Sequence, residues 1–476
     1  MKRVILYGIV LLLCGCDLIE YHPYDVRLHG ETGINAKNIA RIEEICEGKD
    51  TLRFVLMGDS QRWYDETEDF VKALNKRDDV DFVIHGGDIS DFGLTKEFLW
   101  VRDIMGKLKV PYVALLGNHD ILGNGMDVFL KVYGDENFSF RAGNTKFVCM
   151  NTNALEFDYS HPVPDFTFMY NELQDTVGCP RTVPVMHVQP FNVEFNNNVA
   201  RGFHALLLEF PGVEFCLHAH SHTLLHEELF EDGIPYIGCA AMKDKNYLLF
   251  TFTPGTSMKW SIIRVGIVAM FMSMATIVLG MTDDDREQRR AERHQRKLQQ
   301  YKSGWNRLIP KYQNVQYAGS MGLLSLGVGW DYGRKKQWET EIMFGLIPRF
   351  SSNKAKVTFT LKQNYAPWEV SLGGKWWLEP LVTGLYMNTV LSDDFWVKEP
   401  EKYPNNYYKF STRVRFHIFT GQRIAFDLGP HSPFRRITAF YELSTCDLYI
   451  ISSATNKYVR TWDILSLSFG VKLHIL

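Results

Sequence analysis

Five short polar motifs in the first half of the chain contain residue types that hold metal ions. Aspartate and asparagine offer hard oxygen ligands and histidine offers a borderline nitrogen, a mixture that suits Mn, Fe or Zn rather than Ca. A metal pair that shares one bridging carboxylate can bind both the attacking and the leaving oxygen of a phosphoryl group. The motifs are Gly58-Asp59-Ser60-Gln61, Gly87-Asp88-Ile89-Ser90-Asp91, Gly117-Asn118-His119-Asp120, Met186-His187-Val188 and His218-Ala219-His220-Ser221-His222.

Taken singly, each motif is a weak signal. A Gly-Asp pair after a strand can simply form a turn without binding metal, and a lone histidine such as His187 is more often a hydrogen-bonded core residue. Each motif, however, directly follows an apolar run. In an open α/β sheet the carboxyl ends of the strands meet at one edge, where ligands bind. We therefore expect the five motifs to converge.

The chain between Thr51 and about Thr253 repeats an apolar run, a polar loop and a helix-like stretch. This alternation predicts an α/β domain. Helical spacing of apolar residues predicts surface helices over Asp69–Lys76 and Thr95–Leu108. The predicted strands are Leu52–Met57, Asp81–His85, Tyr112–Leu116, Val183–Val188 and Val213–Leu217.

In their order, the motifs resemble those of the calcineurin-like metallophosphoesterase superfamily. That pattern is D-x-H, GD-x-x-D, GNH-D/E, a single H, and GH-x-H. The resemblance covers about residues 50–253 and implies a metallophosphoesterase-type α/β sandwich. It also implies a hydrolase of phosphate esters with two divalent metal ions, Mn, Fe or Zn, acting on a small-molecule or lipid phosphoester.

The resemblance further implies how six residues hold the two ions. Two residues hold the first ion, one carboxylate bridges both, and three residues hold the second ion. The ligands of the first ion are Asp59 and His222, the bridge is Asp88, and the ligands of the second ion are Asn118, His187 and His220.

By the same resemblance, two residues act in catalysis without binding metal. His119 faces the phosphate, where it protonates the leaving oxygen or stabilises charge, and histidine is a residue type suited to both tasks. Asp120 orients His119. A metal-bound hydroxide attacks in line, with no covalent enzyme intermediate.

The sequence departs from the family pattern at two positions. Gln61 stands where the first motif often has histidine, and Ala219 replaces the glycine before the final histidine pair. A shifted register, with His218 and His220 as the final pair, stays open. Gln61, Asp91 and His218 are therefore further candidates to bind metal or to contact its ligands.

The chain begins with two basic residues and a short apolar run, which together are typical of an export signal at residues 1–16. Leu13-Cys14-Gly15-Cys16 resembles a bacterial lipobox, which implies lipid attachment at Cys16 and a place in the bacterial cell envelope, at the outer membrane. An ordinary cleaved signal or an uncleaved anchor is the alternative. Residues 17–50 are predicted as a linker before a domain at 51–257.

Residues 258–281 combine a methionine and basic residues with an apolar run. They fit a second signal-like sequence, as if two exported proteins were joined, or a short transmembrane helix. Residues 282–313 are predicted as a charged helix and linker, because acids precede bases along a stretch that is polar on every face.

Residues 314–476 hold about eight segments of alternating polarity, with aromatic residues near their ends. This pattern is typical of an outer-membrane β-barrel, and a soluble antiparallel barrel or sandwich is the alternative. The predicted fold is thus an α/β domain, a hydrophobic segment and an antiparallel β-barrel-like domain.

The chain has 55 acidic and 52 basic side chains among its 476 residues and a formal net charge of −3. Dedicated nucleic-acid binders are strongly basic, so no nucleic-acid binding is expected. An exported, membrane-attached phosphoesterase is the favoured function. The alternative is a non-catalytic envelope protein with a decayed metal site, in which Gln61 marks the decay and the barrel is the working part.

Overall fold

The computed structural model describes residues 19–49, 51–158, 160–253, 258–265, 309–429 and 432–475. The predictions for residues 1–16, including Cys16, and for most of 258–281 and 282–313 lie outside these ranges. The described residues form an α/β domain of two sheets and a closed antiparallel barrel.

The first sheet places three parallel strands beside two antiparallel ones. Its order is β11-β10-β1-β2-β3. The three parallel strands are almost wholly buried, as expected for strands covered on both faces. The strands are β1 (Leu52–Met57), β2 (Phe82–His85), β3 (Tyr112–Ala114), β10 (Asn246–Phe252) and β11 (Lys259–Arg264).

The second sheet packs face to face against the first. Its order is β4-β5-β6-β7-β9-β8. Aromatic rings join the two sheets: Phe54 stacks on Phe82 within the first sheet and meets Phe147 of the second edge to face, with ring centroids 5.1 Å apart. The strands are β4 (Phe138–Ala142), β5 (Thr145–Met150), β6 (Arg181–Met186), β7 (Cys216–His218), β8 (Leu225–Glu227) and β9 (Tyr236–Gly238).

Helices cover the outer faces of this sandwich. They bury one apolar stripe each, as amphipathic surface helices do, so the predicted metallophosphoesterase-type sandwich is confirmed. The helices of this domain are α1 (Ile34–Cys46), α2 (Tyr64–Leu74), α3 (Thr95–Met105), α4 (Gly125–Val132), α5 (Phe166–Gln174) and α6 (Ala200–Leu207).

Two predicted boundaries of the α/β domain are wrong. The range 17–50, predicted as a linker, contains helix α1, whose Asn35 and Asn38 side chains donate hydrogen bonds to backbone carbonyls of β3. The predicted boundary after residue 257 cuts through the sheet, because β11 pairs with β10 along its length. The first part of the range 258–281 is therefore a strand, and the prediction for its remainder is untested.

Eight strands of the C-terminal region close into a barrel, since β15 pairs with β17 as well as with β14. This closure confirms the predicted barrel and excludes a two-sheet sandwich. The short β16 (Val370–Gly373) pairs with the extension of β17. The barrel strands are β12 (Tyr312–Ala318), β13 (Leu324–Tyr332), β14 (Trp338–Ile347), β15 (Lys356–Tyr365), β17 (Trp376–Leu391), β18 (Val414–Asp427), β19 (Arg436–Cys446) and β20 (Ser466–His474).

The barrel has a charged interior and an apolar exterior. Inside, Lys472 Nζ lies 2.6 Å from Glu339 Oε2 and 2.5 Å from Glu341 Oε1, and Lys362 Nζ lies 2.5 Å from Glu442 Oε2. Outward positions on the barrel strands carry exposed apolar side chains. They include Leu324, Leu326, Phe344, Leu346, Leu361, Leu385, Phe416 and Ile418.

The barrel packs against the α/β domain through the connections at one of its ends. The α/β domain reaches them through the N-terminal segment: the backbone N–H groups of Ser320 and Gly322 donate to the carbonyls of Glu20 and Tyr21. Helix α7 (Asp447–Thr455) lies at the same end, where Tyr449 donates to the Glu20 carboxylate at 2.5 Å.

Because antiparallel strands alternate in direction, β12 begins and β20 ends at the opposite end of the barrel. Residue 309, just before β12, therefore lies toward the end of the barrel away from the α/β domain. Among the helices that the structure describes, none has the length and the apolar character needed to cross a membrane.

Candidate metal centre

The five polar motifs converge at the carboxyl ends of β1, β2, β3, β6 and β7, as expected for a sheet edge that binds ligands. Two groups of side chains there place one ligand atom each within 4.8 Å of one another. The first group is Asp59, Asp88 and His222, and the second is Asp88, His187 and His220. Asp88 belongs to both, which is the arrangement that a bridged metal pair requires.

Asn118 completes the second group. Its Oδ1 atom lies 3.2 Å from His187 Nε2 and 3.0 Å from His220 Nδ1. The side chain is fully buried. The amide oxygen therefore points to the place where these two histidines and Asp88 meet.

The backbone at these residues is held in an unusual conformation. Asp59, Asp88, His220 and His222 all have φ between 49° and 65°, in the left-handed region that residues other than glycine rarely adopt. Such strain collects at functional sites and persists only where the surrounding structure enforces it. At this site, the left-handed conformation directs the side chains of these four residues toward one point just beyond the ends of their strands.

The donor set fits divalent metal ions. Asp59 is fully buried, and the one described side chain that approaches its carboxylate as a donor is His222, whose Nε2 lies 3.3 Å from Oδ1. The amide oxygen of buried Gln61 has no hydrogen-bond partner among the described residues. Buried carboxylates are costly unless a charge or a metal compensates them. Although burial opposes protonation, the carboxylates of Asp88 and Asp59 raise the pKa of His187 to about 9. The site is thus short of positive charge.

Gln61 contacts the bridging carboxylate. Its Nε2 atom donates to Asp88 Oδ2 at 3.1 Å, so the amide holds Asp88 in place while its own oxygen stays free. Asp88 Oδ1 also accepts the backbone N–H of His119 at 3.0 Å. Gln61 therefore lies where the family pattern has histidine and has an oxygen available for a metal.

His119 is oriented by Asp91 and not by Asp120, contrary to the prediction. His119 Nδ1 lies 2.8 Å from the Asp91 carbonyl oxygen, so this nitrogen carries the proton and Nε2 remains free. Asp120 instead accepts the backbone N–H groups of Ile89, Ser90 and Gly117. Its carboxylate braces the two loops that carry Asp88 and Asn118, and burial together with the Asp88 charge raises its pKa to about 7.

The structure favours His220 and His222 over the shifted register. His218 ends β7, packs against Gly238 and has its Nδ1 atom 3.0 Å from the Ala219 carbonyl oxygen. It lies outside both ligand groups. Burial lowers the pKa of His218 to about 4, as expected for a neutral core histidine.

Three residues at the site were missed by sequence analysis. The Asn118 Nδ2 atom donates to the hydroxyls of Tyr408 and Tyr407, at 2.9 and 3.4 Å. Tyr408 in turn donates to Glu156 Oε1 at 2.7 Å. The tyrosines belong to the barrel region, 289 and 290 positions away from Asn118. No spacing pattern could connect them, and only the cluster of aromatic residues around Tyr407 marks the segment.

Comparison with known proteins agrees with the motifs. The family model described as calcineurin-like phosphoesterase matches residues 52–224. The predicted resemblance is thus confirmed for this part of the chain. None of the curated proteins matches the chain.

Several solved structures are similar to a little under half of this chain. GAP50 of Plasmodium, described as the anchor in the inner membrane complex, is 14% identical, over 46% of this chain and 85% of that chain, with a TM-score of 0.35. A purple acid phosphatase from yellow lupin (Lupinus luteus) seeds is 12% identical, over 46% and 52%, with a TM-score of 0.36. The phosphoesterase YfkN from Bacillus subtilis is 12% identical, over 45% and 91%, with a TM-score of 0.32.

The shared position of Asp88 gives a prediction for metal binding. Asp88→Asn should weaken the binding of both Mn²⁺ ions, whereas His222→Ala should weaken one of them, by about 10-fold or more. Titration of Mn²⁺ into the full chain by calorimetry measures both affinities. His226→Ala is the matched control, because His226 is exposed and outside both groups. Equal effects of the Asp88 and His222 variants on both ions would contradict a bridging role.

Proposed function

We propose that the α/β domain is a metal-dependent phosphoester hydrolase with a dinuclear centre. The observation that carries the proposal is the position of Asp88, which is within ligand distance of two separate groups at the carboxyl edge of the sheets. The match of residues 52–224 to the calcineurin-like phosphoesterases supports the same reaction class. The substrate class is a small-molecule or lipid phosphoester.

In this proposal Asp59 and His222 hold one ion, Asn118, His187 and His220 hold the other, and Asp88 bridges them. When bound, such a metal pair supplies positive charge to the phosphoryl oxygens and a nucleophile at neutral pH. Mn, Fe and Zn all suit the oxygen and imidazole ligands. Gln61 fixes the bridging carboxylate from one side, and the backbone N–H of His119 fixes it from the other.

His119 is the proposed general acid. Its side chain is 21% exposed beside the two ligand groups, so its ring is accessible to a substrate. Because Nδ1 keeps its hydrogen in the bond to the Asp91 carbonyl oxygen, the ring acts as an acid in its doubly protonated form, in which Nε2 gives its proton to the leaving oxygen and is left with a lone pair. Asp120 maintains the distance between His119 and Asp88 by bracing their loops.

Substitutions at Asp88 and His119 should separate the two roles. Asp88→Asn should abolish hydrolysis of p-nitrophenyl phosphate by the full chain with added Mn²⁺. His119→Ala should lower kcat about 10²- to 10⁴-fold without loss of bound metal. The loss should be larger for an alkyl phosphate, whose leaving oxygen needs the proton more. Unchanged activity of Asp88→Asn with an intact fold would refute the proposed enzyme.

The alternative, a non-catalytic envelope protein, rests on Gln61. The remaining metal-binding positions of the pattern are filled by carboxylate, amide and imidazole side chains that converge, which favours the enzyme. Two tightly held transition-metal ions per chain would also favour it. A folded protein that binds none would favour the alternative.

We also propose that the barrel lies in the outer membrane of a bacterium. Its outward apolar band and charged interior follow the alternation of membrane barrels. A soluble barrel would instead expose polar side chains on its outer surface.

A charge on the outer surface tests this placement. Phe344→Arg, in the middle of β14 and 54% exposed, should destabilise the barrel in lipid vesicles by about 2–4 kcal/mol. Urea unfolding followed by gel mobility measures the change. Val177→Arg, on an exposed loop of the α/β domain, should have no effect. Equal stability of the Phe344 variant would place the barrel outside the lipid.

A lipid anchor at Cys16 is consistent with the described residues that follow it. Ile19 lies beside the barrel end, since Arg27 donates to its carbonyl oxygen and Tyr21 contacts Tyr317. A lipid on Cys16 would then enter the membrane next to the barrel. Mass spectrometry of the mature N-terminal peptide should show an acylated Cys16, and a free or uncleaved N-terminus would reject the anchor.

A further inference from the structure

The connection between β17 and β18, residues 392–413, leaves the barrel and covers part of the metal centre. We refer to it as the tyrosine loop. Phe410 meets Phe92 edge to face with ring centroids 4.7 Å apart, and Lys402 donates to the Leu155 carbonyl oxygen at 2.6 Å. The Tyr408 ring meets the His119 ring edge to face at 5.2 Å. The loop is thus packed onto the catalytic edge of the α/β domain.

The tyrosine loop has a fixed shape of its own. The Glu399 carboxylate accepts the backbone N–H groups of Asn406 and Tyr408, at 2.6 and 2.9 Å. The Thr412 hydroxyl accepts the backbone N–H of Trp396 at 2.9 Å, which closes the base of the loop. Because the carboxylate holds the backbone on both sides of Tyr407, the two tyrosines enter the site from a defined position.

The Tyr408 hydroxyl links a carboxylate to the Asn118 amide. It donates its proton to Glu156 Oε1, so its lone pair is left to accept the Asn118 Nδ2–H. The Tyr407 hydroxyl offers a second, longer acceptor for the same nitrogen. With its nitrogen bound in this way, Asn118 must present its oxygen to His187 and His220.

We infer that Tyr408 is a positioning residue for Asn118, and that the barrel domain thereby completes the second metal site of the α/β domain. The inference rests on the proposed function, since it requires Asn118 to bind metal. An amide ligates through its oxygen, and rotation by half a turn would present the NH₂ group instead. Tyr408 and Glu156 together prevent this rotation.

Hydrogen-bond partners that orient metal ligands are commonly worth 10- to 100-fold in metal affinity. Among the six proposed metal ligands, the Tyr408 hydroxyl hydrogen-bonds to Asn118 alone, so the effect of removing the hydroxyl should be confined to one ion. The ligands of the other ion, Asp59 and His222, lie on the more open side, where the His222 side chain is 41% exposed. A selective loss of one ion is therefore the signature of positioning.

The test is calorimetric titration of Mn²⁺ into the full chain in detergent micelles. Tyr408→Phe keeps the ring and removes the hydroxyl, and should weaken one of the two Mn²⁺ sites about 10- to 100-fold. Saturating Mn²⁺ should restore most of the kcat. Tyr403→Phe is the matched control, because Tyr403 also donates to Glu156, at 2.7 Å, but has no hydrogen bond to Asn118.

A second variant, Glu156→Gln, keeps every ring in place and should produce the same selective loss in smaller measure. Unchanged Mn²⁺ affinities in the Tyr407→Phe/Tyr408→Phe double variant would overturn the inference. So would an equal loss at both sites together with a lower melting temperature, or an equal loss in Tyr403→Phe. If the wild-type chain binds no Mn²⁺, the proposed function itself fails.

Discussion

Two buried carboxylates at the ends of neighbouring strands impose the central constraint on this molecule. Asp59 and Asp88 are almost completely inaccessible to water, and among the described residues only His222 Nε2, at 3.3 Å, approaches the oxygens of Asp59 as a donor. Burial of such charge is unfavourable unless cations lie beside it. The strained backbone at both residues shows that the surrounding sheets hold the carboxylates together against this cost. The proposed pair of metal ions would supply those cations, and phosphoester hydrolysis is the reaction class that the match to the calcineurin-like phosphoesterases supports.

The barrel extends this arrangement across a second domain. Its tyrosine loop reaches Asn118 and His119, while the N-terminal segment of the α/β domain packs on the connections of the barrel. The two domains therefore share an interface that includes the metal centre. If the barrel lies in a membrane as proposed, its folding there and the completion of the metal centre would be linked events, which would confine full activity to the envelope.

Local signals in the sequence were enough to predict the α/β fold and the convergence of its five motifs. Each motif follows an apolar strand, and parallel strands bring such positions to one edge. Position-specific roles were harder to predict. Asp120 follows His119 directly, yet the 3-10 turn at this point directs its carboxylate to the backbone of the neighbouring loop. The ring of His119 is bound by Asp91, from another loop.

Long-range pairings could not be predicted. The sequence of strand β11 resembles the start of an export signal, because polar and apolar residues alternate only weakly along it. It forms a strand because it pairs with β10, which lies next to it in space. Tyr408 lies in a loop whose composition gives no hint of a partner in another domain. Hydrogen bonds to Asn118 depend on how two regions far apart in the sequence pack together, which neither periodicity nor motif spacing encodes.

The most direct measurement of the central claim is anomalous X-ray diffraction from crystals of the full chain grown with Mn²⁺. Two anomalous peaks about 3.5–4 Å apart, both within ligand distance of Asp88, are expected. One of them should also adjoin Asn118 below the tyrosine loop. A single peak, or metal bound away from Asp88, would contradict a dinuclear centre bridged by this carboxylate.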